Sequence, residues 1–292
     1  MKIAIHGRKF SEASKPYVQQ VFDSLLEHNT PIQVSDSFCE VLKQADIDFN
    51  CDRYYSNGEN IFDADLVLSL GGDGTFLETL SHVASREIPM LGINFGRLGF
   101  LATTAPKDVE TAISTILAGN FSIEDRMLIK AEAESQTFDG LNFALNEIAI
   151  TKTDTSSMIV IHAYIDGEFL NSYWADGLMV STPTGSTGYS LSCGGPVVLP
   201  HSANFIITPI CPHNLFVRPM IVSDQSTVTL RVESRSKNYL VALDARAKIV
   251  SEEEQHIVIT KADFKAKLVR IQGDNFLNTL RTKLNWGIDA RN

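Results

Sequence analysis

Apolar positions along the first hundred residues follow two alternating rhythms. Short unbroken apolar runs, Ile3 to Ile5, Leu66 to Leu70 and Met90 to Ile93, read as strands buried on both faces. Between them, apolar residues recur at three and four. Tyr17, Val18, Val21, Phe22, Leu25 and Leu26 form one such set, opened by Ser14-Lys15-Pro16 with its helix-starting proline. Phe38, Val41, Leu42 and Ala45 form a shorter one, and Phe76, Leu77, Leu80, Val83 and Ala84 a third. Strand and helix in alternation predict a parallel sheet wound by helices, with ligands at the carboxyl ends of the strands. Gly7, Gly71 to Gly74 and Asn94 all fall at such ends.

Pro106 to Gly119 predicts one more helix, carried by Val109, Ile113, Ile116 and Leu117 and stopped at the glycine. From Phe121 the period becomes two: Met127, Ile129, Ala131 and Ala133 alternate with Leu128, Lys130, Glu132 and Glu134. Val160 to Ile165 runs into Asp166-Gly167 and Phe169, a strong hairpin signal. Ser226 to Glu233, Tyr239 to Leu243 and His256 to Thr260 read as further short strands. The expected fold class is therefore an α/β N-terminal domain followed by an all-β layered one. The expected boundaries are 1–104 and 105–271, with a C-terminal helix in 272–292 that carries Phe276, Leu277, Leu280 and Leu284 and packs back on the first domain.

Charge and cysteine usage narrow the function classes. A net charge of −10 over 292 residues argues against a nucleic-acid surface. It also requires an anionic substrate to be met by local groups or by a bound cation. Cys39, Cys51, Cys193 and Cys211 are widely spaced and read as free thiols in a reducing cytoplasm. The first residues read as a strand rather than a signal peptide, and no apolar run reaches membrane-spanning length, so a cytoplasmic protein with no membrane partner is expected.

The first chemical candidate is Gly71-Gly72-Asp73-Gly74-Thr75, between a buried strand and a helix. Glycines admit close backbone approach, and a helix N-terminus directs N–H groups and a positive dipole end at an anion. The turn matches neither Gly-x-x-x-x-Gly-Lys-Ser/Thr nor Gly-x-Gly-x-x-Gly, and no Lys or Arg lies between Leu66 and His82. Asp73 would repel an anionic ligand unless it meets a hydroxyl or a metal ion. The plainer alternative is an aspartate that caps the helix.

The second candidate is Asp176-Gly177 through Ser181-Thr182-Pro183-Thr184-Gly185-Ser186-Thr187-Gly188-Tyr189-Ser190, dense in hydroxyls and glycines. Such a run can wrap a sugar-phosphate with neutral donors, or stand as a long polar surface loop. Its spacing is not Gly-x-Ser-x-Gly, so a serine nucleophile is discounted. Asn146-Glu147 interrupts an apolar strand, so one of the two points into a cleft or the core. A hydrogen-bonded structural asparagine is the alternative.

In this order these stretches resemble the NAD kinase family. Gly92 to Phe100, Gly194-Gly195-Pro196, Pro212-His213-Asn214-Leu215 and Arg218-Pro219 extend the likeness across most of residues 61 to 221, with a weaker tail at Phe276 to Trp286. The glycine-aspartate turn alone is shared with diacylglycerol-type lipid kinases and phosphofructokinases, whereas its pairing with the serine-threonine loop is far more specific. The resemblance implies ATP-dependent phosphorylation of the adenosine ribose 2′-hydroxyl of NAD. It also implies a divalent cation (Mg²⁺ with ATP), a Rossmann-like first domain, a β-sandwich-like second domain, and a homodimer or homotetramer. By the same resemblance Asp73 is the proton acceptor. The binding residues it implies are Gly71, Gly72, Asp73, Gly74, Thr75, Asn94, Asn146, Glu147, Ser157, Trp174, Asp176, Thr184, Thr187, Gly188, Tyr189, Ser190, Leu191, Ser192 and Arg246. No residue is assigned as a metal ligand. Gly188 stands where the family usually has alanine, Arg246 aligns loosely with a position often Gln or Asn, and Ser157 and Trp174 fall at variable positions.

Overall fold

The structure is a computed structural model that describes residues 1–56, 64–133, 138, 140–154, 157–251, 256–271 and 275–286. Glu134 of the expected alternating strand, and residues 272–274 and 287–292 of the expected C-terminal helix, lie outside the described residues. The chain forms two compact units, Met1–Asp125 with Ala266–Asn292, and Arg126–Lys265.

In the first unit the chain runs β1 (Ile3–Gly7), α1 (Lys15–Glu27), β2 (Ile32–Ser35), α2 (Asp36–Gln44), β3 (Arg53–Tyr55), β4 (Leu66–Leu70), α3 (Asp73–Val83), β5 (Met90–Ile93) and α4 (Val109–Leu117). Its parallel sheet has the order β5-β4-β1-β2-β3, with Ile5 beside Leu68 and Leu68 beside Leu91. The apolar runs of β1, β4 and β5 are buried at every position, as strands covered on both faces must be. Helices α1, α2 and α4 press Val18, Val21, Phe22, Leu25, Phe38, Leu42, Val109, Ile113 and Ile116 onto that sheet. α4 thus belongs to this unit's core, and Gly119 ends its turn at φ 72° with its N–H bonded to Ile116 O at 3.0 Å. β2 and β3 were not legible in the sequence, being four and three residues long.

The second unit begins within β6 (Phe121–Ala133) and continues through β7 (Phe143–Ala144), β8 (Glu147–Lys152), β9 (Ile159–Ile165), β10 (Glu168–Ala175) and β11 (Gly177–Ser181). The short helix α5 (Tyr189–Ser192) follows. Then come β12 (Asn204–Ile210), β13 (Met220–Ser223), β14 (Val228–Glu233), β15 (Asn238–Leu243), β16 (Arg246–Ser251) and β17 (Ile257–Ile271), whose last residues, with α6 (Phe276–Leu284), return to the first unit. β10, β9, β14 and β17 pair antiparallel in one layer, and β13-β12-β11-β8-β15-β16 form the other. Ile159, Ile161, Val228, Leu230, Ile257 and Ile259 of the first layer meet Ile148, Ile150, Leu178, Val180, Phe205, Ile207 and Val241 of the second in one apolar core. This is a β-sandwich, as expected. Asp166 and Gly167 both take positive φ, 52° and 85°, in the two-residue hairpin that their sequence announces. Among the described residues no helix is long and apolar enough to cross a membrane.

Candidate active site

β4 ends at Leu70, and the chain turns at Gly71 with φ 155°. A Cβ on Gly71 would lie 2.3 Å from Thr75 Oγ1, so this position needs glycine on both counts. Gly72 and Gly74 face open space, which leaves the start of α3 accessible to a ligand. Thr75 is buried beneath the turn.

Asp73 is the first residue of α3, yet its carboxylate does not cap that helix. Oδ2 accepts from Phe100 N at 2.8 Å, and Oδ1 from Leu101 N and Ala102 N, each at 3.0 Å. Backbone donors of the 95–102 loop therefore clamp it from one side. The approach is possible because residue 99 is glycine: a Cβ there would stand 1.8 Å from Asp73 Oδ1. The loop is held in turn by buried Asn94, whose Oδ1 accepts from Gly96 N at 2.8 Å and whose Nδ2 donates to Arg97 O at 2.6 Å. The polar atoms of Asn94 are thus turned to the loop. Phe100 is covered by α6, with the Phe276 ring centroid at 6.0 Å and Lys283 Nζ 5.0 Å above its ring.

The second unit brings Asn146-Glu147 and the serine-threonine loop together. Thr182 N donates to Asn146 O at 2.8 Å, and Thr182 Oγ1 to Leu145 O at 2.5 Å. Gly185 lies so close to Asn146 that a Cβ would fall 2.1 Å from its carbonyl oxygen. Thr184, Ser186 and Ser190 are buried and Thr187 is half-buried, whereas Gly188, Tyr189 and Ser192 are exposed and Leu191 is intermediate. Ser186 bridges to Val198 in both directions, Thr184 Oγ1 accepts from buried Arg126 at 3.2 Å, and Ser190 Oγ pairs with Thr208 Oγ1 at 3.0 Å. The run is a framework of mostly paired, buried hydroxyls rather than a loose surface loop, with Ser181 Oγ alone among its buried hydroxyls left without a partner.

Glu147, the first residue of β8, leaves Oε2 buried without a hydrogen-bond partner. Burial, and then the nearby Asp244, push its carboxyl up to about 8. A Cβ on Gly188 would lie 3.5 Å from that same oxygen, so the unpaired carboxyl adjoins the loop. An unsatisfied buried polar atom costs free energy, and at a site it marks where a ligand group would complete the bond.

Asp244 was missed in the sequence and does here what the loop amides do for Asp73 in reverse: its carboxylate accepts from Leu145 N and Asn146 N at 2.8 Å and from Glu147 N at 3.2 Å. Burial pushes the Asp244 carboxyl up, against those three donors and Arg246. Its only local signal was an Asp-Ala hairpin turn, with Asp244 at φ 53°. Arg246 donates Nη1 to Leu141 O at 2.5 Å and Nη2 to Phe143 O, and lies 5.0 Å over the Phe143 ring. Asp176 pairs with Lys152 at 2.7 Å. Ser157 and Trp174 are placed together with Val160 and Glu233 around a cavity of about 540 Å³. Ser157 Oγ lies 3.2 Å from Asp154 Oδ2.

A glycine turn carrying a clamped carboxylate, on an α/β unit, accompanies a β-sandwich unit with an unpaired buried carboxyl beside a hydroxyl-rich loop. An aligned carboxylate, an open helix N-terminus and a hydroxyl-rich loop are the parts that phosphoryl transfer to a nucleotide hydroxyl uses. The profile of the ATP-NAD kinase N-terminal domain matches residues 3–121, and that of the C-terminal domain residues 145–271. The chain belongs to the NAD kinase family. It is 50% identical to the NAD kinase of Cytophaga hutchinsonii and 41% identical to that of Flavobacterium johnsoniae, with all of each chain covered. The yeast NADH kinase solved with NADH shares the fold at a TM-score of 0.85, with 22% identity over 99% of this chain and 89% of that one. The NAD kinase from Archaeoglobus fulgidus solved with ATP aligns at 0.75 and 26% identity, over 98% and 99%.

Proposed function

We propose that this chain transfers the terminal phosphoryl group of ATP to the 2′-hydroxyl of the adenosine ribose of NAD, giving NADP. The observation that carries the reading is the Asp73 carboxylate, fixed by three backbone amides at the foot of a helix that opens onto accessible glycines. Phosphoryl transfer has a loose transition state, so alignment and charge neutralisation matter more than a strong base. Asp73, held in one orientation, aligns the hydroxyl and accepts its proton late in the transfer. Within the second unit, Glu147 and the hydroxyl loop bind NAD, the unpaired Oε2 being completed by a donor group of that substrate.

Among the described residues no group of three or more His, Cys, Asp or Glu side chains is arranged to hold a metal ion. The divalent ion of this reading arrives on the ATP phosphates, as Mg-ATP, where it would neutralise phosphate charge. Self-association through the sandwich unit and a cytoplasmic location in keeping with four free cysteines complete the proposal. The test is to mix protein, Mg-ATP and NAD and to assay NADP with an NADP-specific dehydrogenase. Absence of NADP would overturn this reading, and faster labelling of diacylglycerol than of NAD would replace it with a lipid kinase.

A further inference from the structure

The Gly71–Gly74 turn offers N–H donors to a triphosphate but no cationic side chain, and the whole chain is acidic. β1 lies beside β4 in parallel, with His6 level with Ser69 and Gly7 with Leu70. Arg8, the next residue, therefore leaves the sheet at the same carboxyl end as the glycine turn, on the adjacent strand. Its side chain is mostly exposed, yet its Nε donates to Glu78 Oε2 on α3, the helix that Asp73 begins. That same oxygen stands 3.5 Å from Nε2 of His6, and Nδ1 of His6 pairs with Ser35 Oγ at 2.8 Å.

We propose that Arg8 is the side chain of the α/β unit that holds the triphosphate of ATP, with Glu78 and His6 as its positioning residues. This deepens the function proposed above and rests on it.

An exposed ion pair by itself contributes little and needs no buried support. Here a guanidinium is instead backed by a histidine that is 1% exposed, and burying a polar ring is costly. The supporting carboxylate is a durable anchor: the adjacent His6 ring, then the Arg8 hydrogen bond, hold the Glu78 carboxyl down at about 2, against burial. His82 closes the back of the cluster, its ring centroid 4.4 Å from that of His6. Burial, with the nearby His6, holds its imidazole down at about 4, so it stays neutral. Arginine presents a rigid fork, and one held through Nε keeps its Nη1 and Nη2 donors for phosphate oxygens. Glu78 lies five residues beyond Asp73, about 7.5 Å along the helix axis, so the anchor stands clear of Asp73. A triphosphate carries more negative charge than one carboxylate and draws the guanidinium without having to displace its anchor.

The test compares wild type with Arg8→Gln, Arg8→Lys and Glu78→Gln. NADP formation is measured with Mg-ATP and NAD varied separately, beside calorimetric titration of Mg-ATP and thermal melts. Arg8→Gln is expected to raise KM and Kd for Mg-ATP about tenfold or more, while KM for NAD stays within about twofold. Arg8→Lys, which keeps charge but not the fork, should recover part of that loss, and Glu78→Gln should raise KM for Mg-ATP about threefold. Mg-ATP constants for Arg8→Gln within twofold of wild type, whatever the melting temperature, would overturn the proposal. If Arg8→Gln does not fold, Arg8→Lys decides by the same criterion. If wild type makes no NADP, the function proposed above fails, and the calorimetric comparison still decides Arg8.

Discussion

Asp73 accepts three backbone hydrogen bonds through two oxygens, so its nearest isostere is not a neutral replacement. In Asp73→Asn the amide NH₂ must face either Phe100 N–H or the Leu101 and Ala102 pair, donor against donor. A stability loss of about 1–3 kcal/mol is expected in thermal melts. Turnover should fall by about a hundredfold to ten-thousandfold, with NAD affinity changed much less. Near-normal kcat in the folded variant would remove Asp73 from the chemistry. Glu147 gives a prediction of opposite sign. Its carboxyl is raised from 4.5 to about 8, so between those values the folded chain keeps a proton that the unfolded chain releases. Stability contributed by that proton is present below pH 4.5 and is lost as pH rises towards 8, by on the order of 5 kcal/mol at most. Glu147→Gln should therefore gain on wild type as pH rises, melting higher at pH 8 by at least about 1 kcal/mol relative to the comparison at pH 5. It should also bind NAD more weakly, the usual exchange of stability for function at a site. A melting difference that does not change with pH would exclude an ionisable burden at Glu147.

The 95–102 loop shows how one element depends on several distant ones. Asn94 at the end of β5 fixes its base, α6 covers Phe100, and Gly99 lets its amides reach α3. Gly99→Ala places a methyl group where Asp73 Oδ1 now sits, so the clamp must open. We expect kcat to fall at least about a hundredfold, with a stability loss of about 1–3 kcal/mol. Normal turnover in Gly99→Ala would show that the loop amides are dispensable for placing Asp73. The hairpin at Asp166-Gly167 is the contrasting case, since its form follows from two adjacent residues alone.

At the scale of the whole molecule, among the described residues no strand pairs with the outer edge of β13. β13 ends its layer with Met220 and Ile221 exposed, and the preceding segment holds Phe216 91% exposed. Exposed apolar groups beside a free strand edge are the usual setting for pairing with another copy. We expect sedimentation velocity at micromolar concentration to show a dimer or larger species, and Phe216→Glu to shift it towards monomer. A wild-type monomer under those conditions would refute self-association.

Local pattern sufficed for the alternation of strand and helix, the switch to period two, the Asp166-Gly167 turn and the Gly71–Gly74 turn, because each depends on neighbours within a few residues. The short strands β2, β3, β13 and β16 were not legible, since three to six residues carry too little periodicity and take their form from the sheet beside them. Whether Asp73 capped its helix was open in the sequence; the structure gives its carboxylate to amides 27 to 29 residues away. The same holds for Asp244, which reaches back 97 to 99 residues to Leu145, Asn146 and Glu147, and for Arg8, anchored 70 residues on at Glu78. A sequence fixes which donors and acceptors exist, and only chain closure over such separations decides which of them meet.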